Sequence, residues 1–293
     1  MSLQIQGVLG ALATPRKPDG SVDFDGLGRN IELVYEAGGT GVVLAGGTGE
    51  YYDLTLDQRK ELIKEAKTAN AGRGTLICAN GAGRLADSVT LGKHALSVGV
   101  DALLLPPPHF YRYEQQDLEA FFREAARRIG GPVLIYNLAA FTTPFEPETI
   151  VRLMEEVPNI VGVKDSSGNL DSMEALAARP DIVGCRILGH DRAYVEGLRR
   201  GLIDAVISGP ASVIPEASVA LFKNPSEEMA ALFDEALDQV DGLPYPWALK
   251  VIAEERGMFQ AEFPLPVSEA RLGQIEGLKA WLPGWLDRLR DTS

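Results

Sequence analysis

Cysteine and histidine are scarce in this sequence. Only two cysteines, Cys78 and Cys185, and three histidines occur among its 293 residues. Each cysteine lies in a short apolar run typical of a buried strand, and no spacing of His, Cys, Asp or Glu indicates a metal or redox motif. A framework of disulfides is excluded by number, so we expect a reducing cytoplasmic location and no metal site.

Basic residues and long apolar runs are also few. The chain has 28 Lys and Arg against 41 Asp and Glu, a net charge of −13, without the basic stripe that nucleic-acid binding requires. Its longest uncharged run, Ile129 to Phe145, is too short and too broken by proline to span a membrane. The first residues lack the basic leader and apolar core of an export signal. We therefore expect neither a nucleic-acid nor a membrane partner.

What the chain does contain is a series of eight short apolar runs at fairly regular intervals. They are rich in β-branched residues and bounded by Gly, Pro or polar residues, a composition typical of strands buried on both faces. The predicted strands are Gly7–Ala13, Gly41–Ala45, Thr75–Ala79, Ala102–Leu105, Val133–Tyr136, Ile160–Lys164, Ile182–Leu188 and Ala205–Ser208.

Amphipathic segments of helical length lie between these runs. The clearest are Leu56–Ala69, Leu118–Ile129 and Thr149–Val157. Eight alternations of strand and helix predict an α/β fold, the closed (β/α)8 TIM barrel, with a doubly wound open sheet as the competing fold.

The strand pattern stops after about Pro215, and the rest of the chain has a helical pattern broken at Pro264 and Pro266. The predicted helices are Ala217–Phe222, Glu227–Val240, Pro246–Arg256 and Val267–Arg290. We predict a barrel carrying the active site over residues 1–222 and a helical C-terminal extension over residues 223–293.

In a barrel of this kind, active-site groups come from the C-terminal ends of the strands. The second predicted strand ends in Leu44-Ala-Gly-Gly-Thr-Gly-Glu50. Its glycines can turn backbone N–H groups toward one point, and Thr48 adds a hydroxyl, so the loop suits a carboxylate or a phosphate. A plain tight turn is the alternative. The order of glycines in nucleotide-binding loops is absent.

Two further side chains close apolar strands. Tyr136 ends the fifth and puts a phenol at the barrel mouth, where it can exchange protons or simply pack against the rim. Lys164 ends the sixth, where loss of water favours the neutral amine, a nucleophile toward carbonyls. The alternative for Lys164 is an ammonium that reaches solvent at the strand edge. His109 and His190 follow other strands at the mouth, whereas His94 lies in a helical pattern.

Taken together, these motifs resemble the dihydrodipicolinate synthase / N-acetylneuraminate lyase family of class I aldolases and lyases, and they span nearly the whole chain. The 28 positions from Tyr136 to Lys164 match the family spacing. The matching motifs are Ala13-Thr-Pro15, Gly46-Gly-Thr-Gly-Glu50, Pro107-Pro108, Tyr136-Asn137, Gly162-Val-Lys-Asp165, Gly189-His-Asp191 and Ile207-Ser-Gly209.

The resemblance implies a role for each matching residue. Lys164 would form an imine with a 2-keto acid, and Tyr136 would move protons to and from the reacting groups. Thr48, with the backbone of Gly47, would hold the carboxylate, and Ile207 would contact the bound acid. The resemblance also implies that no cofactor is needed and that the chain forms a homo-oligomer, a dimer or a tetramer.

Three positions depart from the family pattern. Gly47 stands where most members have Thr or Ser, and Phe110 where many have Tyr, so two hydroxyls of the proton relay are missing unless the adjacent Tyr111 substitutes. Phe141 stands where the synthases place an arginine that binds a second carboxylate. This counts against dihydrodipicolinate synthase activity, which we keep as an alternative.

The details of two motifs favour another substrate. The Gly-rich loop followed by Tyr51-Tyr52 resembles deoxy-keto-glucarate dehydratases, and Lys164-Asp-Ser-Ser-Gly168 resembles 2-keto-3-deoxygluconate aldolases. We therefore favour a Schiff-base lyase that acts on pyruvate or a 2-keto-3-deoxy sugar acid, by aldol reaction or dehydration. The missing relay hydroxyls leave a non-catalytic keto-acid-binding barrel as an alternative of another class. The aromatic residues near Phe110 and Phe141 face either a second substrate or a subunit contact.

Overall fold

Eight parallel strands close into a barrel in the computed structural model, which describes residues 3–292. The strands pair in chain order, and the last pairs back with the first. They are β1 (Gly7–Ala11), β2 (Gly41–Leu44), β3 (Thr75–Ala79), β4 (Ala102–Leu105), β5 (Val133–Asn137), β6 (Ile160–Asp165), β7 (Cys185–Leu188) and β8 (Ala205–Ser208). The predicted (β/α)8 barrel is confirmed, and the open sheet is not formed.

Helices alternate with the strands and continue beyond them. They are α1 (Phe24–Glu36), α2 (Leu56–Asn70), α3 (Leu85–Ser97), α4 (Gln115–Ile129), α5 (Pro147–Glu156), α6 (Asp171–Ala177), α7 (Tyr194–Arg199), α8 (Pro215–Lys223), α9 (Glu227–Asp241), α10 (Trp247–Glu255) and α11 (Glu269–Thr292). Among these residues, no helix has the length and apolar composition that crossing a membrane requires.

Three predicted strands are longer than those formed, and the second exceeds β2 by one residue, Ala45. The seventh was predicted from Ile182, but β7 starts at Cys185, which is the first of its residues to pair with β6, opposite Gly162. The first was predicted to reach Ala13, but β1 ends at Ala11. Leu12 and Ala13 are buried beyond the end of β1, whereas Val183 before β7 is 74% exposed. An apolar run therefore does not by itself mark where sheet pairing begins or ends.

The barrel encloses one apolar cluster and the helices cover another. Seven of the strands contribute buried apolar side chains to the barrel interior, and β6 contributes the partly buried Val161. The buried set includes Leu9, Val43, Ile77, Leu104, Leu134, Ile187 and Ile207. The larger cluster lies between the strands and the surrounding helices and continues into the C-terminal extension. Because the interior is filled by side chains, a ligand must bind at the mouth, among the loops that follow the strands.

Helices α9 to α11 form the predicted extension. Trp285 of α11 is fully buried, and its indole N–H donates to the carbonyl of Leu232 in α9 at 2.9 Å. Helix α10 packs against both neighbours. The boundary at residue 222 stays a prediction; α8 runs to Lys223 at that point.

A buried ion pair connects the extension to the loop after β2. The ammonium of Lys250 in α10 contacts the carboxylate of Glu50, and both side chains are excluded from solvent. Lys250 Nζ also donates a hydrogen bond to the carbonyl of Glu262 at 2.7 Å. The loop that follows the second strand is therefore anchored by the C-terminal helices.

We expect Lys250→Met to lower the free energy of unfolding by about 3–5 kcal/mol, because it leaves the Glu50 carboxylate buried without its counter-ion. Urea denaturation measures the change. The Glu50→Gln/Lys250→Met double variant should recover part of the loss. The control is Arg290→Met, which removes an exposed pair with Asp287 and should leave the stability unchanged. A loss no greater than that of the control would contradict the bracing role.

Candidate active site

Lys164 and Tyr136 lie side by side at the C-terminal ends of two neighbouring strands. They are register partners on β6 and β5, so their side chains leave the sheet on the same face. Lys164 Nζ donates to the hydroxyl of Tyr136 at 3.3 Å and lies 4.4 Å from the centre of the ring. Lys164 is only 6% exposed. The structure therefore brings the amine and the phenol together, out of bulk water.

Gly189, which follows β7, leaves room for the lysine. A Cβ at this position would lie 2.4 Å from Lys164 Cε and 2.3 Å from the hydroxyl of Ser166. The backbone N–H of Gly189 donates to the carbonyl of Asp165 at 2.7 Å, which fixes the close approach. A larger residue there would displace the amine, so the glycine is part of the site geometry.

The ends of β5 and β6 are held together by buried polar groups that the sequence analysis did not single out. The side-chain amide of Asn137 donates to Asp165 Oδ2 at 2.9 Å, and its oxygen accepts from the backbone of Phe145 at 3.1 Å. Asp165 Oδ1 accepts from the backbone of Ser167 at 2.7 Å. These bonds fix the strand ends that carry Tyr136 and Lys164.

The glycine-rich loop after β2 forms a tight turn. The N–H of Glu50 donates to the carbonyl of Gly47 at 3.0 Å, and the hydroxyl of Thr14 donates to the carbonyl of Gly49 at 2.7 Å. A Cβ at Gly47 would meet no other atom within 4 Å. The position that lacks a hydroxyl therefore faces open space, and a small side chain would fit there.

Thr48 has a partner that the sequence analysis missed. Its hydroxyl lies 3.1 Å from the hydroxyl of Tyr245, which belongs to the short segment between α9 and α10. The Tyr245 hydroxyl lies so close to Gly209 that a Cβ there would be 1.9 Å away. The only sequence indication was the Pro-Tyr-Pro stretch that separates two helical patterns.

The remaining predicted site residues lie in two places. Ile207 is buried in the barrel interior on β8, in the cluster that includes Tyr136. Phe110 and Phe141 are 88% and 74% exposed. They lie on adjacent loops, which a bridge between His109 and Thr142 connects. The two phenylalanines therefore form an exposed rim, and Phe110 adopts a left-handed backbone conformation with φ of 85°.

Asp191 lies in the motif Gly189-His-Asp191, and the sequence analysis gave it no role of its own. Burial raises the pKa of its carboxyl to about 6, although a hydrogen bond from Ser208 and the charge of Lys164 act in the opposite direction. No group of three or more His, Cys, Asp or Glu residues able to hold a metal ion occurs in the described part of the chain.

Comparison with known proteins gives a consistent result. The sequence profile of the dihydrodipicolinate synthetase family matches residues 4–279. The 4-hydroxy-tetrahydrodipicolinate synthase of Stenotrophomonas maltophilia is 32% identical over 246 residues, 84% of this chain and 81% of the relative.

Solved structures agree. The dihydrodipicolinate synthase of Aquifex aeolicus superimposes with a TM-score of 0.89 at 26% identity, covering 96% of this chain and 98% of its own. The synthase of Acinetobacter baumannii, solved in complex with pyruvate, gives 0.84 at 26% identity and covers 94% and 98%.

The fold and the lysine–tyrosine pair define a barrel enzyme of the class I lyases, which form a Schiff base on a lysine. The match over residues 4–279 shows that the chain belongs to the dihydrodipicolinate synthetase family.

The raised pKa of Asp191 predicts a pH-dependent stability. Because burial moves it from 3.8 to about 6, the folded protein keeps a proton that the unfolded chain has released. The wild type therefore loses stability as the pH rises from about 4 to about 6, and no further above that range. Asp191→Asn has no titrating group at this position, so it does not lose this stability. The Tm of the variant minus the Tm of the wild type should therefore increase as the pH rises from about 4 to about 6. A difference that does not change with pH in calorimetry would contradict the assignment.

Proposed function

We propose that this chain forms a Schiff base between Lys164 and the keto carbon of pyruvate, or of a 2-keto acid that contains the pyruvate unit. The observation that carries the proposal is the hydrogen bond between Lys164 Nζ and the Tyr136 hydroxyl in a nearly water-free position. An amine held beside a proton donor and acceptor is what imine formation requires.

In the first step, neutral Lys164 Nζ attacks the keto carbon, and the carbonyl oxygen takes up a proton to give a carbinolamine. Loss of that oxygen as water leaves the imine. Tyr136 is close enough to pass the protons that these two steps exchange. The protonated imine then withdraws electrons, so the adjacent carbon can lose a proton and become an enamine.

In the second step, the enamine carbon forms a bond to an aldehyde carbon, and the aldehyde oxygen takes the proton. Hydrolysis of the imine releases the product and restores the lysine. Cleavage runs through the same steps in reverse. In a dehydration, the enamine instead expels the hydroxyl of the next carbon, which takes up a proton and leaves as water. The loop at Gly47 and Thr48 would hold the carboxylate, and Ile207 would pack against the acid, as the family resemblance implies.

The second substrate has two candidates. The relatives' names favour the 4-hydroxy-tetrahydrodipicolinate synthase reaction with aspartate semialdehyde. Phe141 stands exposed where the family resemblance expects a carboxylate-binding arginine, which counts against that reaction. The likeness of the glycine loop and of Lys164-Asp-Ser-Ser-Gly168 to sugar-acid enzymes favours a 2-keto-3-deoxy sugar acid. A homo-oligomer and a cytoplasmic location stay predictions; the exposed aromatic rim supports the former, because Phe110 and Phe141 present apolar surface that a second subunit could cover.

We expect pyruvate with borohydride to add one reduced pyruvate to the protein, because the reductant traps the imine as a stable secondary amine. Intact mass measures the adduct, and peptide mapping locates it at Lys164. Lys164→Ala should show none. The control is Lys60→Ala, which removes a half-buried lysine of α2 that pairs with Asp57, and it should keep the full adduct. Lack of any adduct on the wild type would remove the proposed chemistry.

Two assays separate the second substrates. A coupled assay with pyruvate and aspartate semialdehyde measures synthase turnover, and a panel of 2-keto-3-deoxy sugar acids is followed by pyruvate release and by loss of water. If Phe141 excludes a second carboxylate, Phe141→Arg should raise synthase turnover at least about tenfold, since a charged hydrogen bond contributes about 1.5–3 kcal/mol. High synthase turnover by the wild type would show that the arginine is dispensable. If the protein traps pyruvate but turns over none of these substrates, the alternative of a non-catalytic keto-acid-binding barrel remains.

A further inference from the structure

Tyr245 reaches the barrel mouth from outside the barrel. It lies in the segment between α9 and α10, in the C-terminal extension, yet its hydroxyl is 3.1 Å from the hydroxyl of Thr48 on the loop after β2. Tyr245 as a whole is 49% exposed, although its hydroxyl is held between Thr48 and Gly209. No family motif identified in the sequence includes this residue.

The surroundings of Tyr245 are shaped to receive it. Gly209, directly after β8, has no Cβ, and any Cβ there would overlap the phenol oxygen at 1.9 Å. Lys250, one turn further along, is buried against Glu50, two residues from Thr48. The extension therefore contacts the glycine loop at two points, Tyr245 with Thr48 and Lys250 with Glu50, and these contacts fix the position of Tyr245 relative to the loop.

The contact joins two unequal hydrogen-bonding groups. A phenol is a stronger acid than an aliphatic alcohol, so the Tyr245 hydroxyl is the better donor and Thr48 Oγ1 the acceptor. Burial raises the pKa of Tyr245, which keeps the phenol protonated. A threonine hydroxyl that accepts such a bond is polarised and becomes a stronger donor through its own proton.

We infer that Tyr245 is a positioning residue that acts through Thr48: it donates to the Thr48 hydroxyl and so directs the Thr48 proton toward the carboxylate of the keto acid. This rests on the proposed function, since it assumes that the acid binds at the glycine loop. It gives the C-terminal extension a part in substrate binding. It also supplies a hydroxyl at this loop, where Gly47 carries none.

The test measures adduct formation at Lys164 with borohydride as a function of pyruvate concentration, which requires no second substrate. Tyr245→Phe removes only the hydroxyl. We expect the half-saturating pyruvate concentration to rise about fivefold to tenfold, because one hydrogen bond in a chain to an anion is weakened, while the trapping rate at saturation stays within about twofold. In a Thr48→Val background, Tyr245→Phe should have no further effect.

The matched control is Tyr35→Phe, which removes a hydroxyl that donates to Asn70 between α1 and α2, away from the mouth. It should leave the half-saturating concentration unchanged. An unchanged value for Tyr245→Phe would overturn the inference, and so would a fall in the saturating rate alone, or an equal effect in the Thr48→Val background. Lack of an adduct on the wild type would instead refute the proposed function, so the two failures are distinguishable.

Discussion

The pairing of Lys164 with Tyr136 is the contact around which the site is built. An amine at the end of an apolar strand is costly to bury as an ion, and here it is placed against a phenol oxygen and the face of its ring. The pair forms because β5 and β6 are parallel neighbours whose register puts these residues opposite each other. Any shift of one strand by a single residue would turn one of the two side chains to the other face of the sheet.

Much of the surrounding structure keeps that register and that spacing. Asn137 and Asp165, the next residues along the two strands, join the strand ends by a buried hydrogen bond. Gly189 gives the lysine its space and bonds to the Asp165 carbonyl. These buried hydrogen bonds and the space at Gly189 hold Lys164 and Tyr136 in place. The exposed residues Phe110 and Phe141 lie on two loops that the bridge between His109 and Thr142 connects.

The C-terminal extension contacts the loop after β2 at the barrel mouth. It contributes Lys250, which pairs with Glu50 in the loop after β2, and Tyr245, which contacts Thr48 in the same loop. Family membership supplies the general chemistry, a lysine imine. Gly47 and Phe141 lack the polar side chains that the family resemblance expects. The extension places the Tyr245 hydroxyl 3.1 Å from the hydroxyl of Thr48, on the same loop as Gly47.

The sequence by itself determined the fold class, the number and order of strands, and the tyrosine and lysine near the C-terminal ends of β5 and β6. These features are local: apolar runs, their spacing and the residue at each strand end follow from short-range pattern. The contacts of Tyr245, the Glu50–Lys250 pair and the raised pKa of Asp191 were decided only by the tertiary structure. They join residues far apart in the chain, and burial, which sets their energies, is a property of the folded molecule and of no single segment.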